Sequence, residues 1–283
     1  MATEIHALIE EGAARLARVV DNPRLDAEIL LAAALGQSRS YLATYPERQV
    51  LDCEATDRYQ ACLTRRAQGE PVAYILGQKE FWSLPLLVGP AVLIPRPETE
   101  LVVERALAHL PTDSDADVLD VATGSGAIAL AIASERPACK VVATDLSADA
   151  VTVAIRNAAR LGLERVQFHA GSWFEPVRNR VFDLIASNPP YVADGDTRLE
   201  SSARRYEPHA ALFAGVTGLE ALDAIAAGAP RHLKPGGWLL LEHGDRQGES
   251  VRGLLLAQGF EALATHRDLA GLDRCTEGRW PGP

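Results

Sequence analysis

Hydrophobic residues recur at two different spacings along the chain, and the change from one to the other divides it. Over residues 1 to about 75 the spacing is helical, as in Ile5, Leu8, Ile9 and Leu16. Ser38 and Asp52 suit helix N-caps, and Gly36 suits a helix end. This pattern predicts a small all-α domain.

The segment from residue 77 to 95 follows a different pattern. Apolar residues between Phe81 and Val88 stand among Pro85, Gly89 and Pro90, which predicts a short β-hairpin followed by a helix from about residue 97 to 110. We therefore expect an N-terminal helical domain over 1–75, a hairpin linker over 76–95 and a larger domain over 96–283.

From residue 116 onward, strand-like and helix-like runs alternate. The strand-like runs are VLDV, KVVATD, RVQFHA, FDLIAS, GGWLLLE, FEALATHR and DRCTEGRW. Most are followed by a helical stretch, which predicts an α/β fold with a mostly parallel seven-stranded sheet and helices on both faces. Ligands of such sheets bind beyond the carboxyl ends of the strands, so the chemistry is expected there.

A glycine turn follows the first of these strands. Residues 122–126 read Ala-Thr-Gly-Ser-Gly, and the next acidic residue at a strand end is Asp145. Glycine lets the backbone approach a ligand closely, and a carboxylate at that place can accept both hydroxyls of a ribose. A tight turn without a ligand is one alternative. An NAD-dependent oxidoreductase is another, because Gly124-x-Gly126-x-x-Ala129 also fits a dinucleotide-binding turn.

A second motif, Asn188-Pro-Pro-Tyr191, follows the fourth strand and separates these alternatives. The Asn188 side-chain oxygen and the Pro189 carbonyl can each accept one hydrogen of a planar –NH2 group. Pro190 stiffens the loop, and Tyr191 offers a flat face for stacking on a planar group. Hydride transfer has no use for such a pocket. The motif predicts a rigid pocket for a planar –NH2 group, unless it is only a surface turn.

The two motifs together resemble a class I S-adenosylmethionine-dependent methyltransferase. Over nearly its whole length the chain more specifically resembles the release-factor glutamine methyltransferases, the HemK/PrmC family. The matching stretches are Gly69-Glu-Pro71, Glu80-Phe-Trp-Ser-Leu-Pro-Leu86, Leu93-Ile-Pro-Arg-Pro-Glu-Thr-Glu100, the glycine turn, Trp173-Phe174, Asn188 to Tyr191, Tyr206-Glu-Pro208 and Leu240-Leu-Glu-His-Gly244.

The resemblance implies an enzyme that methylates the glutamine of the Gly-Gly-Gln motif in class I peptide chain release factors. It implies S-adenosylmethionine as cofactor, S-adenosylhomocysteine as product, and no metal. The implied cofactor-binding residues are Ala122, Thr123, Gly124, Ser125, Gly126, Asp145, Trp173 and Asn188. The implied catalytic residues are Asn188, Pro189 and Tyr191, and the implied substrate-binding residues are Asn188, Pro189, Pro190, Tyr191, Arg96 and Glu98.

Two positions depart from the family pattern. Ala122 stands where the first glycine of the turn is usual, and an alanine fits there with a negative φ. Ser172 stands where an aspartate usually faces the adenine amino group. For Arg96 and Glu98 the alternative to substrate contact is an exposed salt bridge, and for His243 we expect a structural hydrogen bond rather than catalysis.

Composition bears on the choice of partner. The same pocket could hold adenine N6 or guanine N2 of a nucleic acid, but the net charge of −10 argues against stable nucleic-acid binding. The four separated cysteines show no metal-ligand spacing and fit a reducing cytoplasm. The acidic N-terminus is unlike a signal peptide, and the longest uncharged stretch is interrupted by prolines, so no membrane role is expected.

Overall fold

Helices make up most of the first part of the chain in this computed structural model, which describes residues 3–283. They are α1 (Ile5–Leu16), α2 (Pro23–Leu35), α3 (Arg39–Thr44), α4 (Cys53–Ala67) and α5 (Val72–Leu76). The Ser38 hydroxyl accepts the N–H of Tyr41, and the Asp52 carboxylate accepts the N–H of Ala55. Gly36 ends α2 with φ +62°. The two predicted caps and the predicted helix end are therefore confirmed.

The first unit also contains a short antiparallel pairing that the hydrophobic pattern did not indicate. Strand β1 (Thr3–Glu4) pairs with β2 (Gln49–Val50). The chain divides into two compact units on either side of the Gly77–Gln78 bond. The first unit has its own core, in which the fully buried Tyr59 donates its hydroxyl to the carbonyl of Leu8 at 3.0 Å.

The second unit begins with the predicted hairpin, in which β3 (Gln78–Phe81) pairs with β4 (Leu84–Leu87). The buried Asn157 side chain holds this hairpin in place. Its amide oxygen accepts the Leu87 N–H at 2.6 Å, and its amide nitrogen donates to the carbonyls of Leu87 and Ser125. One side chain thus joins the hairpin to the glycine turn of the larger unit.

The remaining elements alternate as predicted. The strands are β5 (Asp117–Val121), β6 (Lys140–Asp145), β7 (Gln167–Ala170), β8 (Phe182–Ser187), β9 (Leu233–Glu242), β10 (Glu261–Arg267) and β11 (Asp273–Arg279). The helices are α6 (Glu100–His109), α7 (Ala127–Glu135), α8 (Ala148–Leu161), α9 (Ser201–Tyr206), α10 (His209–Leu212), α11 (Glu220–Gly228) and α12 (Gly248–Ala257). Helices α9 and α10 have no counterpart in the predicted elements.

Seven strands form one sheet in the order β10-β11-β9-β8-β5-β6-β7. The five strands from β9 to β7 are parallel, and β11 is antiparallel to both of its neighbours. This arrangement confirms the predicted mostly parallel α/β fold. Side chains of the central strands alternate between two buried cores, one shared with α6 and α7 and the other with α11 and α12.

The strand order reverses between β5 and β8. From β5 the chain winds outward through β6 and β7, and it then returns to add β8 and β9 on the other side. The loops after β5 and β8 therefore leave the sheet in opposite directions and open a crevice at the carboxyl ends of the strands. The glycine turn follows β5 and Asn188 follows β8, so both predicted motifs lie at this crevice.

Candidate active site

A cavity of about 260 Å³ lies at the carboxyl ends of β5, β6 and β8. Most of its surface is apolar, with a few polar groups contributed by separate segments. The residues that line it are Ala91, Val92, Leu93, Pro95, Thr99, Ala122, Thr123, Gly124, Ser125, Ala127, Ile128, Thr144, Asp145, Leu146, Ser147, Ala150, Trp173, Asn188, Pro190, Pro208, Ala210 and Ala211.

The glycine turn supplies one wall, and its backbone conformation differs from our expectation at one position. Ala122 has φ +61°, whereas we expected a negative φ there. The expectation was wrong because the backbone takes the left-handed conformation that the family's usual glycine favours. An alanine in this conformation is strained by about 1 kcal/mol relative to glycine.

The absence of a side chain matters for different reasons at Gly124 and Gly126. A Cβ on Gly124 would have no neighbour within 4 Å, so its backbone faces open space in the cavity. A Cβ on Gly126, at φ +85°, would lie 3.0 Å from Leu130 and 3.2 Å from Ala154. Gly124 therefore allows a ligand to approach, whereas Gly126 allows the following helix to pack.

The Asp145 carboxylate joins two neighbouring strand ends. Its Oδ2 accepts the N–H of Gly124 at 2.8 Å, and its Oδ1 accepts the N–H of Ser147 at 2.9 Å. Burial raises the pKa of Asp145, and these two backbone hydrogen bonds oppose the rise. Each oxygen keeps a second lone pair, so the carboxylate can still accept hydroxyl groups from a ligand in the cavity.

A second carboxyl group, Asp120, lies beneath the glycine turn and was not singled out from the sequence. It is fully buried, and its Oδ2 accepts the hydroxyl of Thr123 at 2.5 Å and the N–H of Ala129 at 3.1 Å. Burial raises its pKa to about 7. The available signal was an acidic residue inside the otherwise apolar run VLDV. Asp120 joins the turn to the helix that follows it.

The Asn-Pro-Pro-Tyr loop is divided between the cavity and the core. Asn188 and Pro190 line the cavity, and Asn188 Nδ2 donates to the Thr99 hydroxyl at 3.0 Å. The Asn188 side-chain oxygen is therefore the end left for a ligand. Pro189 is buried and does not line the cavity, so the predicted role of its backbone carbonyl towards the substrate stays a prediction.

Tyr191 also lies off the cavity wall. Its ring packs against a hydrophobic core, and its hydroxyl donates to Glu242 Oε1 at 3.2 Å. Gln247 Nε2 holds the Tyr191 carbonyl at 3.1 Å from the other side of the loop. These contacts orient the loop. They do not test the predicted stacking of Tyr191 on a planar group, which stays a prediction.

The predicted substrate residues Arg96 and Glu98 also lie outside the cavity lining, and they differ from each other. Glu98 is exposed. Arg96 pairs with Glu207, whose side chain is only 2% exposed and whose second oxygen accepts the N–H of Ile94 at 3.0 Å. The alternative of an exposed salt bridge does not hold for Arg96, because its ion-pair partner Glu207 is buried. Glu207 thereby connects the segment beside α10 to the segment that carries Leu93 and Pro95.

The predicted cofactor-binding residue Trp173 and its neighbour Ser172 also differ in position. Trp173 lines the cavity at φ +43°, and its carbonyl accepts the Thr144 hydroxyl at 2.9 Å. Ser172 is exposed and does not line the cavity. Leu146 lines the same part of the site and is 72% exposed, so an apolar surface faces open space there.

His243 is fully buried, and both of its ring nitrogens have partners, the carbonyl of Gly244 and the hydroxyl of Thr276. These contacts are structural, as expected. In residues 3–283, no group of histidine, cysteine, aspartate and glutamate side chains has a metal-binding arrangement. Nor does that part of the chain contain a helix long and apolar enough to cross a membrane.

The cavity fits a nucleoside carrying a charged, flexible tail. Its apolar wall near Trp173 and Leu146 suits a planar base, and the Asp145 carboxylate beside it suits ribose hydroxyls. The open space beside Gly124 allows a tail to pass close to the backbone. Asn188 then lies next to the place where the reacting group would stand. S-adenosylmethionine has these three parts.

Comparisons with known proteins agree with this geometry. Residues 7–77 match the family model described as PrmC N-terminal domain, and residues 101–205 match the one described as Methyltransferase small domain. A solved Methyltransferase from Pyrococcus furiosus shares the fold, with a TM-score of 0.54 and 21% identity over 79% of this chain and 98% of that one.

Two curated relatives are much more similar in sequence. A Release factor glutamine methyltransferase of Xylella fastidiosa is 51% identical, covering 92% of this chain and 94% of the relative. A protein of the same name from Pseudomonas aeruginosa is 52% identical with the same coverage. Both matches cover nearly the whole chain, so they include both the helical unit and the unit that carries the site. The chain belongs to the release factor glutamine methyltransferase family.

Proposed function

We propose that this protein transfers a methyl group from S-adenosylmethionine to the side-chain amide nitrogen of the glutamine in the Gly-Gly-Gln motif of class I peptide chain release factors. The observation that carries the proposal is the position of Asn188. Its side chain lines the cavity, and its nitrogen is held by Thr99, which leaves its oxygen for a planar –NH2 group. Relatives half identical to this chain bear the name of this activity.

S-adenosylmethionine supplies an electrophilic methyl group on a sulfonium. The chain's own residues bind and orient: we assign Ala122 to Gly126 and Asp145 to the cofactor, together with Trp173 and Asn188. We assign Asp145 to the ribose hydroxyls and Trp173 to the base. S-adenosylhomocysteine is the expected product, and no metal ion is required.

A glutamine amide is a weak nucleophile because its nitrogen lone pair is delocalised into the carbonyl. The Asn188 side-chain oxygen and the Pro189 carbonyl are proposed to accept its two hydrogens. They thereby orient the nitrogen and favour the positive charge that develops on it during attack. The proton is acidic only after methylation, so no general base is assigned.

The substrate is a folded protein, and we propose that other parts of the chain help to hold it. The predicted helical domain over residues 1–75 is assigned to release-factor binding, with Arg96, Glu98, Pro190 and Tyr191 acting near the glutamine. We propose a cytoplasmic location, because the proposed substrate acts in translation. Methylation of a nucleic-acid amine is disfavoured by the net charge of −10.

The test uses the whole enzyme with labelled S-adenosylmethionine and, separately, a class I release factor, the same factor with the Gly-Gly-Gln glutamine changed to alanine, and bulk RNA. Mass spectrometry locates the methyl group. We expect label on the glutamine of the unmodified factor and none on the other two. Label on RNA, or on the alanine variant to the same extent, would overturn the proposal.

A variant separates chemistry from binding in the same assay. Asn188→Ala is expected to lower turnover about 100- to 1000-fold, with a much smaller effect on the dissociation constant for the cofactor. Equal loss in both measurements would contradict the role given to Asn188.

A further inference from the structure

Thr99 is a cavity residue whose side chain is turned towards the core as well as the site. It ends the short 3-10 turn Pro97–Thr99, is 3% exposed, and lines the cavity. Its hydroxyl oxygen accepts a hydrogen bond from Asn188 Nδ2 at 3.0 Å. A hydroxyl has one hydrogen, so its orientation depends on what accepts that hydrogen.

The acceptor is Glu242, the last residue of β9, which is fully buried. The Tyr191 hydroxyl donates to its Oε1 at 3.2 Å, and hydrogen bonding with the Thr99 side chain lowers its pKa. Its second oxygen, Oε2, has no hydrogen-bond partner in the described chain. A buried carboxyl group with so few partners is costly, so its presence directly behind the Asn188 loop calls for a functional reason.

The direction of these hydrogen bonds follows from the charge of Glu242. A carboxylate can only accept, so both Tyr191 and Thr99 must direct their hydrogens at it. The remaining lone pairs of the Thr99 hydroxyl oxygen then face Asn188. Only the –NH2 end of the Asn188 amide can donate a hydrogen bond to them. The carbonyl end of Asn188 is thereby turned away from Thr99, towards the cavity.

We propose that Thr99 and Glu242 are positioning residues that fix which end of the Asn188 amide faces the substrate. The proposal rests on the proposed function, because it gives a reason for the Asn188 oxygen to meet a planar –NH2 group. If the Asn188 amide were turned over, its own –NH2 would oppose the two hydrogens of the substrate and exclude it from the productive orientation.

The ionisation of Glu242 gives this arrangement a measurable signature. Burial raises the pKa of Glu242 to about 7, against the lowering effect of Thr99, Arg274 and Tyr191. Glu98 adds a repulsive charge, and the Cys275 thiol faces Glu242 from the neighbouring strand. A protonated Glu242 can donate to Thr99, reverse its hydroxyl and release the Asn188 amide. Turnover should therefore rise with pH to a plateau above about 7.

The first experiment compares Thr99→Val with Thr99→Ser. Valine has nearly the shape of threonine but no hydroxyl, whereas serine keeps the hydroxyl. With the release factor as substrate, we expect Thr99→Val to lower kcat about 10- to 100-fold, with the cofactor dissociation constant changed by a few-fold at most. We expect Thr99→Ser to stay near the wild type. Equal kcat in the two variants would overturn the proposal.

The second experiment measures kcat against pH for the wild type and for Glu242→Gln. The glutamine cannot ionise, and its amide can turn either its oxygen or its –NH2 towards Thr99, so it no longer fixes the direction of the Thr99 hydroxyl. We expect kcat to fall about 10-fold and the rise near pH 7 to disappear. A variant that keeps this rise would contradict the role of Glu242, and this test stands even if Thr99→Val does not fold.

Failure of this inference is distinguishable from failure of the proposed function. A wild-type enzyme that does not methylate the glutamine contradicts the proposed function itself. A wild-type enzyme that methylates it, with Thr99→Val and Glu242→Gln behaving like the wild type, contradicts only the positioning role. Thermal melting and cofactor binding of each variant identify losses that come from misfolding.

Discussion

The carboxylate of Asp145, at the end of β6, accepts the backbone N–H of Gly124, in the turn after β5, over 2.8 Å. The contact joins the two strand ends that border the cavity and fixes the turn in its left-handed conformation. Because the same carboxylate faces the cavity, one side chain both shapes the site and presents a negative charge in it. Changes at Asp145 should therefore affect cofactor binding more than changes elsewhere on this edge.

We expect Asp145→Ala to weaken S-adenosylmethionine binding about 10- to 100-fold, because it removes charge-assisted hydrogen bonds to the ribose and frees the turn. Isothermal titration of the cofactor measures this. Asp149→Ala is the matched control, since Asp149 is exposed and does not line the cavity. Similar affinities for the two variants would contradict the assignment of Asp145.

The strained alanine of the glycine turn gives a stability prediction. Because Ala122 has φ +61°, Ala122→Gly should raise the free energy of unfolding by about 1 kcal/mol. All four tryptophans lie beyond residue 77, so tryptophan fluorescence during urea denaturation follows the second unit.

The exposed Ala159, in the last turn of α8, provides the control for this substitution. There, alanine to glycine should lower the free energy of unfolding by about 1 kcal/mol, because glycine is a poor helix former. The two substitutions are expected to change the free energy of unfolding with opposite signs. Destabilisation by Ala122→Gly would show that the positive φ of Ala122 does not strain the protein.

The buried Asp120 predicts a dependence of stability on pH. Its folded-state pKa is about 7, above the ordinary value of 3.8, so the folded protein holds a proton that the unfolded chain releases. The contribution of Asp120 to stability is full below about pH 4 and is lost as the pH rises towards 7 and beyond. The slope from this one group is at most about 1.4 kcal/mol per pH unit.

Urea denaturation between pH 4 and 8 tests this. Asp120→Asn cannot ionise, so its free energy of unfolding should fall less steeply with pH than that of the wild type. Asp113→Asn, in the exposed loop before β5, removes a carboxyl group without altering the core and serves as the control. Parallel curves for Asp120→Asn and the wild type would show that Asp120 is not the group responsible.

Local signals in the sequence were sufficient to predict the fold and the segments that form the main walls of the cavity. Strand and helix runs are read from neighbouring residues, and parallel strands place the turn after β5 and Asn188 after β8 at one edge. The glycine turn and Asp145 were found in this way, as were the caps at Ser38 and Asp52. These features depend on residues close together in the chain.

The features that the sequence did not reveal depend on contacts between distant residues. Asn188 meets Thr99 across 89 positions, and Ile94 meets Glu207 across 113. Glu242 lies in the matching stretch Leu240–Gly244, but a glutamate at a strand end is ordinary until its burial is known. The positive φ of Ala122 was missed for a related reason, because backbone strain is imposed by the surrounding structure and not by the alanine itself.

The buried ion pair of Glu207 gives a final prediction. Glu207→Ala leaves the Arg96 guanidinium without its carboxylate and the buried N–H of Ile94 without an acceptor. We expect a loss of about 2–4 kcal/mol in the free energy of unfolding of the second unit. Weaker cofactor binding should accompany it, since Leu93, Pro95 and Pro208 line the cavity on either side of this pair.

The exposed pair of Arg279 with Glu261 is the control, because both side chains are about half exposed. Glu261→Ala should change the free energy of unfolding by no more than about 1 kcal/mol and leave cofactor binding unaltered. If Glu207→Ala cost as little as Glu261→Ala, the pair would be a surface feature. A loss of stability without any change in cofactor affinity would instead confine Glu207 to supporting the fold, because the cavity walls would have kept their places without it.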